Sequence, residues 1–410
     1  MANMEMITGG VTAAKGFEAA GCEAGVKYEN RKDMALVYSQ SPCAVAGVFT
    51  SNVAKAAPVR WDKNVVTNSP YAQAVIVNTG IANAGTGTAG YNCCRQTAQC
   101  VAETLDIPLD SVLVASTGVI GMQVPMDKIT EGIRKLAGLK AEGVQAGTTA
   151  AEAILTTDTM SKEAAVQLEI GGKTVTVGGM CKGSGMIHPN MSTMLGFVTT
   201  DLAISKELLQ EALSTDVQDT FNMVSVDGDT STNDTLLVLA NGMAGNETII
   251  NKDDNYYKFL EALHYVDETL AKKMAGDGEG ATALVETKVI HAANKDDAKR
   301  LSKAVICSNL TKAAIFGHDA NWGRVLCALG NSGVVFEPEK IDIFFEGREK
   351  RIQLCRDGVA VDFNEEEATK ILSEPEVRVL VDMKMGDAQA CAWGCDLSFD
   401  YVKINADYRS

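Results

Sequence analysis

A mixed α/β fold with large sheets is what the sequence predicts, and three features lead there. Strand-like and helix-like hydrophobic patterns alternate from one end of the chain to the other. Thirty-seven glycines beside an aromatic share of only 6% imply small-residue packing and many tight turns. At 410 residues the chain exceeds what one hydrophobic core usually organises, so two domains or one large layered domain are expected. With 46% apolar and 22% charged residues the composition is that of a globular protein, and disorder is not indicated.

In chain order, Ala74 to Val77 reads as a buried strand, Cys94 to Leu105 as a helix, and Val112 to Ser116 as a short buried strand closing on Thr117-Gly118. Ala165 to Ile170 and Thr174 to Val177 flank Gly171-Gly172, a pair that tolerates positive φ, and so read as a hairpin. Met194 to Thr200 follows as a strand. Ser205 then caps a helix through Leu213 whose apolar stripe is Leu208, Leu209, Ala212 and Leu213. Val266 to Ala275 reads as a helix stopped at Gly276, with a strand from Ala283 to Ile290 after it. Asn294 caps a further helix reaching about Cys307. No repeat, low-complexity tract or proline-rich linker marks a domain boundary.

The formal charge is 37 − 53 = −16. Such a chain repels phosphate backbones and anionic lipid, so nucleic acid and membrane surfaces are poor partners. A local cationic pocket can still take a small anion. Eleven cysteines, an odd number, are scattered without a CxxC pair or zinc-finger spacing, which points to reduced thiols. MANMEMITGG carries no signal-peptide pattern, and nowhere do eighteen apolar residues run together. A soluble, cytoplasmic protein is expected.

Several motifs fail on inspection. Gly171-Gly172-Lys173-Thr174 ends like a phosphate loop, but Gln167 stands where the earlier glycine is required. Gly276 to Ala281 fits GxGxxA, yet it follows a helix and precedes a strand, the reverse of a dinucleotide site. Asp227, Asp229, Ser231 and Asn233 imitate a calcium loop without its glycine or its closing glutamate. His188, His264, His291 and His318 lie far apart, none in HExxH or GxSxG surroundings.

The distinctive stretch is KGSGMIHPNMSTMLGFVTTD, from Lys182 to Asp201. Its first half is glycine-rich; its second becomes a strand immediately after Ser192-Thr193. A small residue before a hydroxyl residue at such a junction suits self-cleavage, in which the Thr193 hydroxyl attacks the Ser192 carbonyl and water releases the N-terminal piece. Thr193 would then carry a free α-amine titrating near roughly 7.7–8.0, able to accept the hydroxyl proton without a histidine. On spacing alone, an ordinary glycine-rich turn explains the same residues better.

The stretch resembles the cleavage segment of the ornithine acetyltransferase (glutamate N-acetyltransferase) family, usually KGAGMIHPNMATML with threonine as nucleophile. The resemblance extends over essentially the whole chain, through GGVTAAKGFEAAGCEAGVK, GVFTSNVAKAAPV, STGVIG, AILTTDTMSK, VDGDTSTNDT, DGEGATAL, FGHDANWGR and the terminal YVKINADYRS. Departures are Ile81 and Gly85 in NTGIANAGTG, where NSGNANACTG is commoner, Ser192 for alanine, and Ser410 for a terminal threonine.

The resemblance implies layered αββα-like sheets of the self-processing N-terminal-threonine type with a second α/β domain. It implies two pieces, 1–192 and 193–410, staying together as a heterotetramer of two alpha and two beta chains. Thr117 and Gly118 become the oxyanion hole, Lys182 a carboxylate partner, and Thr156 a substrate contact, with Thr157 close enough to confuse the assignment. Glu279 holds the ornithine amine or orients the nucleophile; Asn405 and Ser410 contact substrate near the terminus. Asp319, Asn321 and Arg324 are read as structural support. The implied reaction is double displacement: Thr193 takes the acetyl group from N-acetylornithine and yields it to glutamate. Neither metal nor tightly held cofactor is implied; acetyl-CoA enters only as a second donor substrate that some members use. A self-processed aminopeptidase or amidase, passing the acyl group to water, is the alternative.

Overall fold

The computed structural model describes residues 4–188 and 194–407. Thr193, Ser192 and Ser410, three of the residues singled out above, lie outside the described residues. Strands β1 (Met4–Ile7), β2 (Phe17–Cys22) and β3 (Met34–Phe49) open the chain, followed by helix α1 (Ala57–Asn68), β4 (Ala72–Asn78), α2 (Gly87–Leu105) and β5 (Val112–Ser116). Helices α3 (Met126–Leu139) and α4 (Val144–Ala153) precede the hairpin β6 (Lys162–Ile170) and β7 (Lys173–Lys182), then β8 (Leu195–Thr200) and α5 (Lys206–Asp216). β9 (Val224–Ser225), β10 (Thr235–Ala240), α6 (Asp254–Gly276), β11 (Leu284–Ala292) and α7 (Lys295–Ile306) come next. The remainder is α8 (Asn309–Phe316), α9 (Trp322–Gly330), β12 (Asp342–Glu346), β13 (Arg351–Arg356), β14 (Val359–Ala360), α10 (Glu365–Leu372), β15 (Glu376–Asp382), β16 (Ala388–Cys395) and α11 (Phe399–Asp407).

Among the described residues these strands form two sheets. The first runs β1-β6-β7-β8-β10-β3-β4-β5, with β2 also on β3. Strand β3 serves both ends of it: residues 34–39 pair with β2 and residues 44–49 with β10, and the register shifts between Tyr38 and Cys43. The sheet therefore folds over on itself. Leu195, Phe197, Leu237 and Leu239 from one face of β8 and β10 share a core with Val75, Val77 and helices α1–α4. Val198, Leu236 and Val238 from the opposite face share another with α5 and α6. Helices thus cover a doubled sheet on both sides, the layered arrangement expected from the resemblance. The second sheet, β14-β13-β12-β15-β11-β16-β9, has its own core with α7, α9 and α10 and is the second α/β unit. Helix α6 packs on β6 and β7 and on β16, which joins the two.

Local chemistry explains the element ends. Ser205 Oγ accepts from the Leu208 N–H and Asn294 Oδ1 from the Asp297 N–H, capping α5 and α7 as the sequence suggests. Gly171 and Gly172 take φ of +58° and +71°, which turns β6 into β7. Helices α2 and α6 start earlier than the sequence reading has them, at Gly87 and at Asp254; in α6 the buried Tyr256, Phe259, Ala262 and Leu263 carry the apolar stripe back beyond Val266. In α6 the extra turns are secured by Asp253, whose side chain accepts from the Asn255 and Tyr256 N–H groups. No described helix is long and apolar enough to cross a membrane.

Candidate active site

Strand β8 lies between β7, antiparallel to it, and β10, parallel to it. The C-terminal ends of β5 and β7 and the starts of β8 and β10 consequently meet in one region. A cavity of about 130 Å³ opens there. Its wall includes Thr117, Gly118, Thr156, Lys182, Glu279 and Asn405, every described residue that the sequence had singled out for chemistry or substrate.

The β5 exit is shaped by backbone contact. Ser116 Oγ donates to Asn78 Oδ1 at 2.6 Å, Thr117 N–H to the Asn78 carbonyl at 3.1 Å, and Val119 N–H to the Gly80 carbonyl at 3.1 Å. Gly118 stands between them at φ +130°, and a Cβ there would meet the Gly80 carbonyl carbon at 2.3 Å. Only glycine fits. Asn233, on the approach to β10, donates through Nδ2 to the carbonyls of Ala82 (2.6 Å) and Ser116 (2.7 Å), so it clamps this exit to the neighbouring strand. Sequence reading met Asn233 only as part of a false calcium loop. The two buried carbonyls it serves come from remote segments, which no local pattern reveals.

Lys182 ends β7. Burial pushes its ammonium below the usual lysine range, against the raising pull of Asp158, Asp234 and Glu279. Among the described residues its Nζ makes no hydrogen bond, so a cation sits at the wall with donors to spare. Behind it, Asp158 Oδ1 accepts from the Gly183 N–H at 2.7 Å and from Lys162 Nζ at 2.6 Å, while Lys162 also donates to Asp277 at 2.6 Å. Burial alone would raise the Asp158 pKa, yet Lys162 and Lys182 together hold it below the usual carboxylate range. This buried trio anchors the 156–160 loop to Gly183 and to the end of α6. Thr156 and Thr157 both line the cavity; Thr157 Oγ1 and Ser184 Oγ share a hydrogen bond of 2.6 Å, and Thr156 N–H donates to Asp158.

Glu279 reaches the cavity from the loop after α6. Its N–H donates to the Ser184 carbonyl at 2.9 Å, and its carboxylate lies against Gly185, 2.4 Å from where a Cβ would stand. Asn405 Nδ2 donates to Glu279 Oε2 at 2.7 Å, so helix α11 delivers an ordered contact from near the C-terminus. Asp319, Asn321 and Arg324 stand elsewhere: Asn321 caps α9, and Arg324 donates to the Leu310 carbonyl at 2.8 Å. Asp227, from the false calcium loop, accepts from the Met186 and Ile187 N–H groups. Neither histidine nor cysteine appears in the described cavity wall. Among the described residues no cluster of three or more His, Cys, Asp or Glu could hold a metal ion, and all eleven cysteines are free thiols.

Comparison with known proteins identifies the family. The model of the ArgJ family matches residues 18–410. A protein of Symbiobacterium thermophilum named arginine biosynthesis bifunctional protein ArgJ is 52% identical over 410 residues, 99% of this chain and all of that one. Its namesake from Thermotoga neapolitana is 48% identical over 398 residues, 97% and 99% of the two chains. Two solved structures are also similar. The crystal structure of the ArgJ protein of Bacillus halodurans has a TM-score of 0.45 at 46% identity and covers 47% of this chain and 100% of its own. Ornithine acetyltransferase of Mycobacterium tuberculosis in complex with ornithine has a TM-score of 0.43 at 41% identity, covering 46% and 99%. With the family model matching nearly the whole chain, and relatives near half identity aligned from end to end, this chain belongs to the ArgJ family.

Proposed function

We infer that this chain is a glutamate N-acetyltransferase of arginine biosynthesis, moving the acetyl group of N2-acetylornithine to glutamate through an ester on Thr193. The observation that carries the reading is the single cavity at the start of β8, where residues from five distant segments (117–118, 156–157, 182, 279 and 405) converge. Family membership supports the activity itself. Met194, the residue after the proposed nucleophile, is buried at the same strand end.

The proposed chemistry starts with cleavage between Ser192 and Thr193, which frees the Thr193 amine. That amine takes the hydroxyl proton as Oγ attacks the acetyl carbonyl. The Thr117 hydroxyl and the Gly118 N–H donate to the oxygen that becomes negative. Ornithine departs with the returned proton, and glutamate enters the same pocket and takes the acetyl group from the ester. Lys182 supplies the cation for the substrate α-carboxylate, and Glu279, tethered by Asn405, the anion for the ornithine side-chain amine. Thr156 and Ser410 complete the substrate contacts. No metal or bound cofactor has a step in this scheme; acetyl-CoA would be a second donor entering at the acylation step. The two pieces, 1–192 and 193–410, would remain associated because β7 pairs with β8 and β3 with β10 across the cut in one sheet, and we place the assembly in the cytoplasm as a heterotetramer.

Steady-state kinetics test the reading. With both substrates varied, double-reciprocal plots should be parallel, and ornithine and N-acetylglutamate should form in equal amounts. Release of acetate without N-acetylglutamate would instead establish a hydrolase.

A further inference from the structure

A carboxylate that is to meet the ornithine side-chain amine must itself be held in place. Two chains of contacts lead from Glu279 to one other carboxylate, that of Asp227. We propose that Asp227 is a positioning residue that fixes Glu279 and so serves the half-reaction that takes N-acetylornithine, a role that rests on the reading of Glu279 given above.

Asp227 follows β9 and is half-buried. Four donors converge on its carboxylate. Oδ2 accepts from the Met186 N–H at 2.6 Å and from the Tyr401 hydroxyl at 3.4 Å; Oδ1 accepts from the Ile187 N–H at 2.9 Å and from the Asp229 N–H at 3.3 Å. The first route to Glu279 runs through backbone. Met186 stands at φ +55°, the left-handed region that a residue with a side chain enters only where its surroundings compel it. Its N–H, bonded to Asp227, fixes the plane of the 185–186 peptide, and the Glu279 carboxylate lies against Gly185 of that peptide. The second route runs through α11. Tyr401, whose hydroxyl is on Asp227, accepts through its carbonyl from Asn405 Nδ2 at 3.0 Å, and the same amide donates to Glu279 Oε2 at 2.7 Å. Burial, with Asp227 and Glu279 nearby, pushes the Tyr401 phenol up, so it remains a donor.

All four partners of Asp227 are donors, so only a group that accepts on both oxygens satisfies them. The amide of asparagine, nearly the same shape, would turn its own N–H groups toward one pair of those donors. The two substrates differ at the end that Glu279 meets. Ornithine carries an ammonium there and glutamate a carboxylate, so a displaced Glu279 weakens the hold on the first and removes no attraction from the second. In double displacement each substrate's kcat/KM contains only the steps of its own half-reaction, and the two are therefore read separately.

The test measures kcat/KM for both substrates in Asp227→Asn, in Glu279→Gln and in the double variant, each rate divided by the active sites counted as acetyl-enzyme by intact mass. Asp227→Asn is expected to lower kcat/KM for N-acetylornithine about 10- to 100-fold, the scale of a displaced positioning group, and to leave that for glutamate nearly unchanged. The double variant should be no slower on N-acetylornithine than Glu279→Gln alone, because the two residues act as one unit. Tyr401→Phe cuts only the second route and should give a smaller fall for the same substrate; it carries the test if Asp227→Asn does not fold. Equal falls for both substrates, losses that multiply in the double variant, or a Tyr401→Phe enzyme unchanged toward N-acetylornithine would overturn the role of Asp227. A native kcat/KM of Glu279→Gln for N-acetylornithine would instead overturn the reading of Glu279 on which that role rests.

Discussion

Replacing Lys182 by methionine separates a substrate partner from a wall residue. Its Nζ makes no hydrogen bond among the described residues, and Asp158, its nearest anionic influence, is already held by Lys162 at 2.6 Å and by the Gly183 N–H at 2.7 Å. Methionine keeps the length of the stem and removes a charge whose burial is itself unfavourable, so stability should change by no more than about 1 kcal/mol. A hydrogen bond from this ammonium to a substrate carboxylate is worth about 1.5–3 kcal/mol. At about 1.36 kcal/mol per tenfold, the loss corresponds to an increase of about 10- to 160-fold in KM for glutamate. If the contact is equal in ground and transition states, kcat stays near its original value. Initial rates with glutamate varied at saturating N-acetylornithine, beside a thermal melt, give both quantities. A natively melting Lys182→Met enzyme with unchanged KM would refute the assignment.

Three further substitutions test other parts of the site. Gly118→Ala places a Cβ 2.3 Å from the Gly80 carbonyl carbon at φ +130°, so the backbone must move and the oxyanion donor with it; kcat should fall about 10²- to 10³-fold, and a native rate would remove Gly118 N–H from the mechanism. Asn233→Ala leaves the Ala82 and Ser116 carbonyls without their donor, which should cost roughly 2–4 kcal/mol in a denaturant titration, and an unchanged midpoint would show that the clamp is replaceable. Lys162→Met strips the cation from two buried carboxylates and should cost about 3–5 kcal/mol at neutral pH. Because the folded-state pKa of Asp158 is lowered, its contribution is present above its unfolded value near 3.9 and is lost as pH falls through the folded value. The gap between Lys162→Met and the unmodified protein should therefore narrow in acid, and a gap independent of pH would contradict the ion-pair account.

The sequence displayed best what is local. Strand β5 covers Val112–Ser116 as its apolar run indicates, and the caps Ser205 and Asn294 make the hydrogen bonds expected of them. The first turn of α2 was hidden because Gly87–Gly90 carries no apolar stripe, whereas the start of α6 was legible in Tyr256, Phe259, Ala262 and Leu263, which continue its buried stripe toward the Asp253 cap. Strand β3 escaped notice because Ser41-Pro42 interrupts its pattern where the strand passes from one half of the sheet to the other. For the site, family resemblance named Thr117, Gly118, Thr156, Lys182, Glu279 and Asn405, and the fold brings all six to one cavity. It did not name Asn233, whose clamp exists only through the Ala82 and Ser116 carbonyls, both remote in sequence.

Intact-protein mass spectrometry, before and after brief exposure to N-acetylornithine, tests the central claim most directly. The account predicts two fragments, 1–192 and 193–410, with one acetyl group added to the second after exposure and removed again by glutamate. A single 410-residue chain that gains no acetyl group would contradict it.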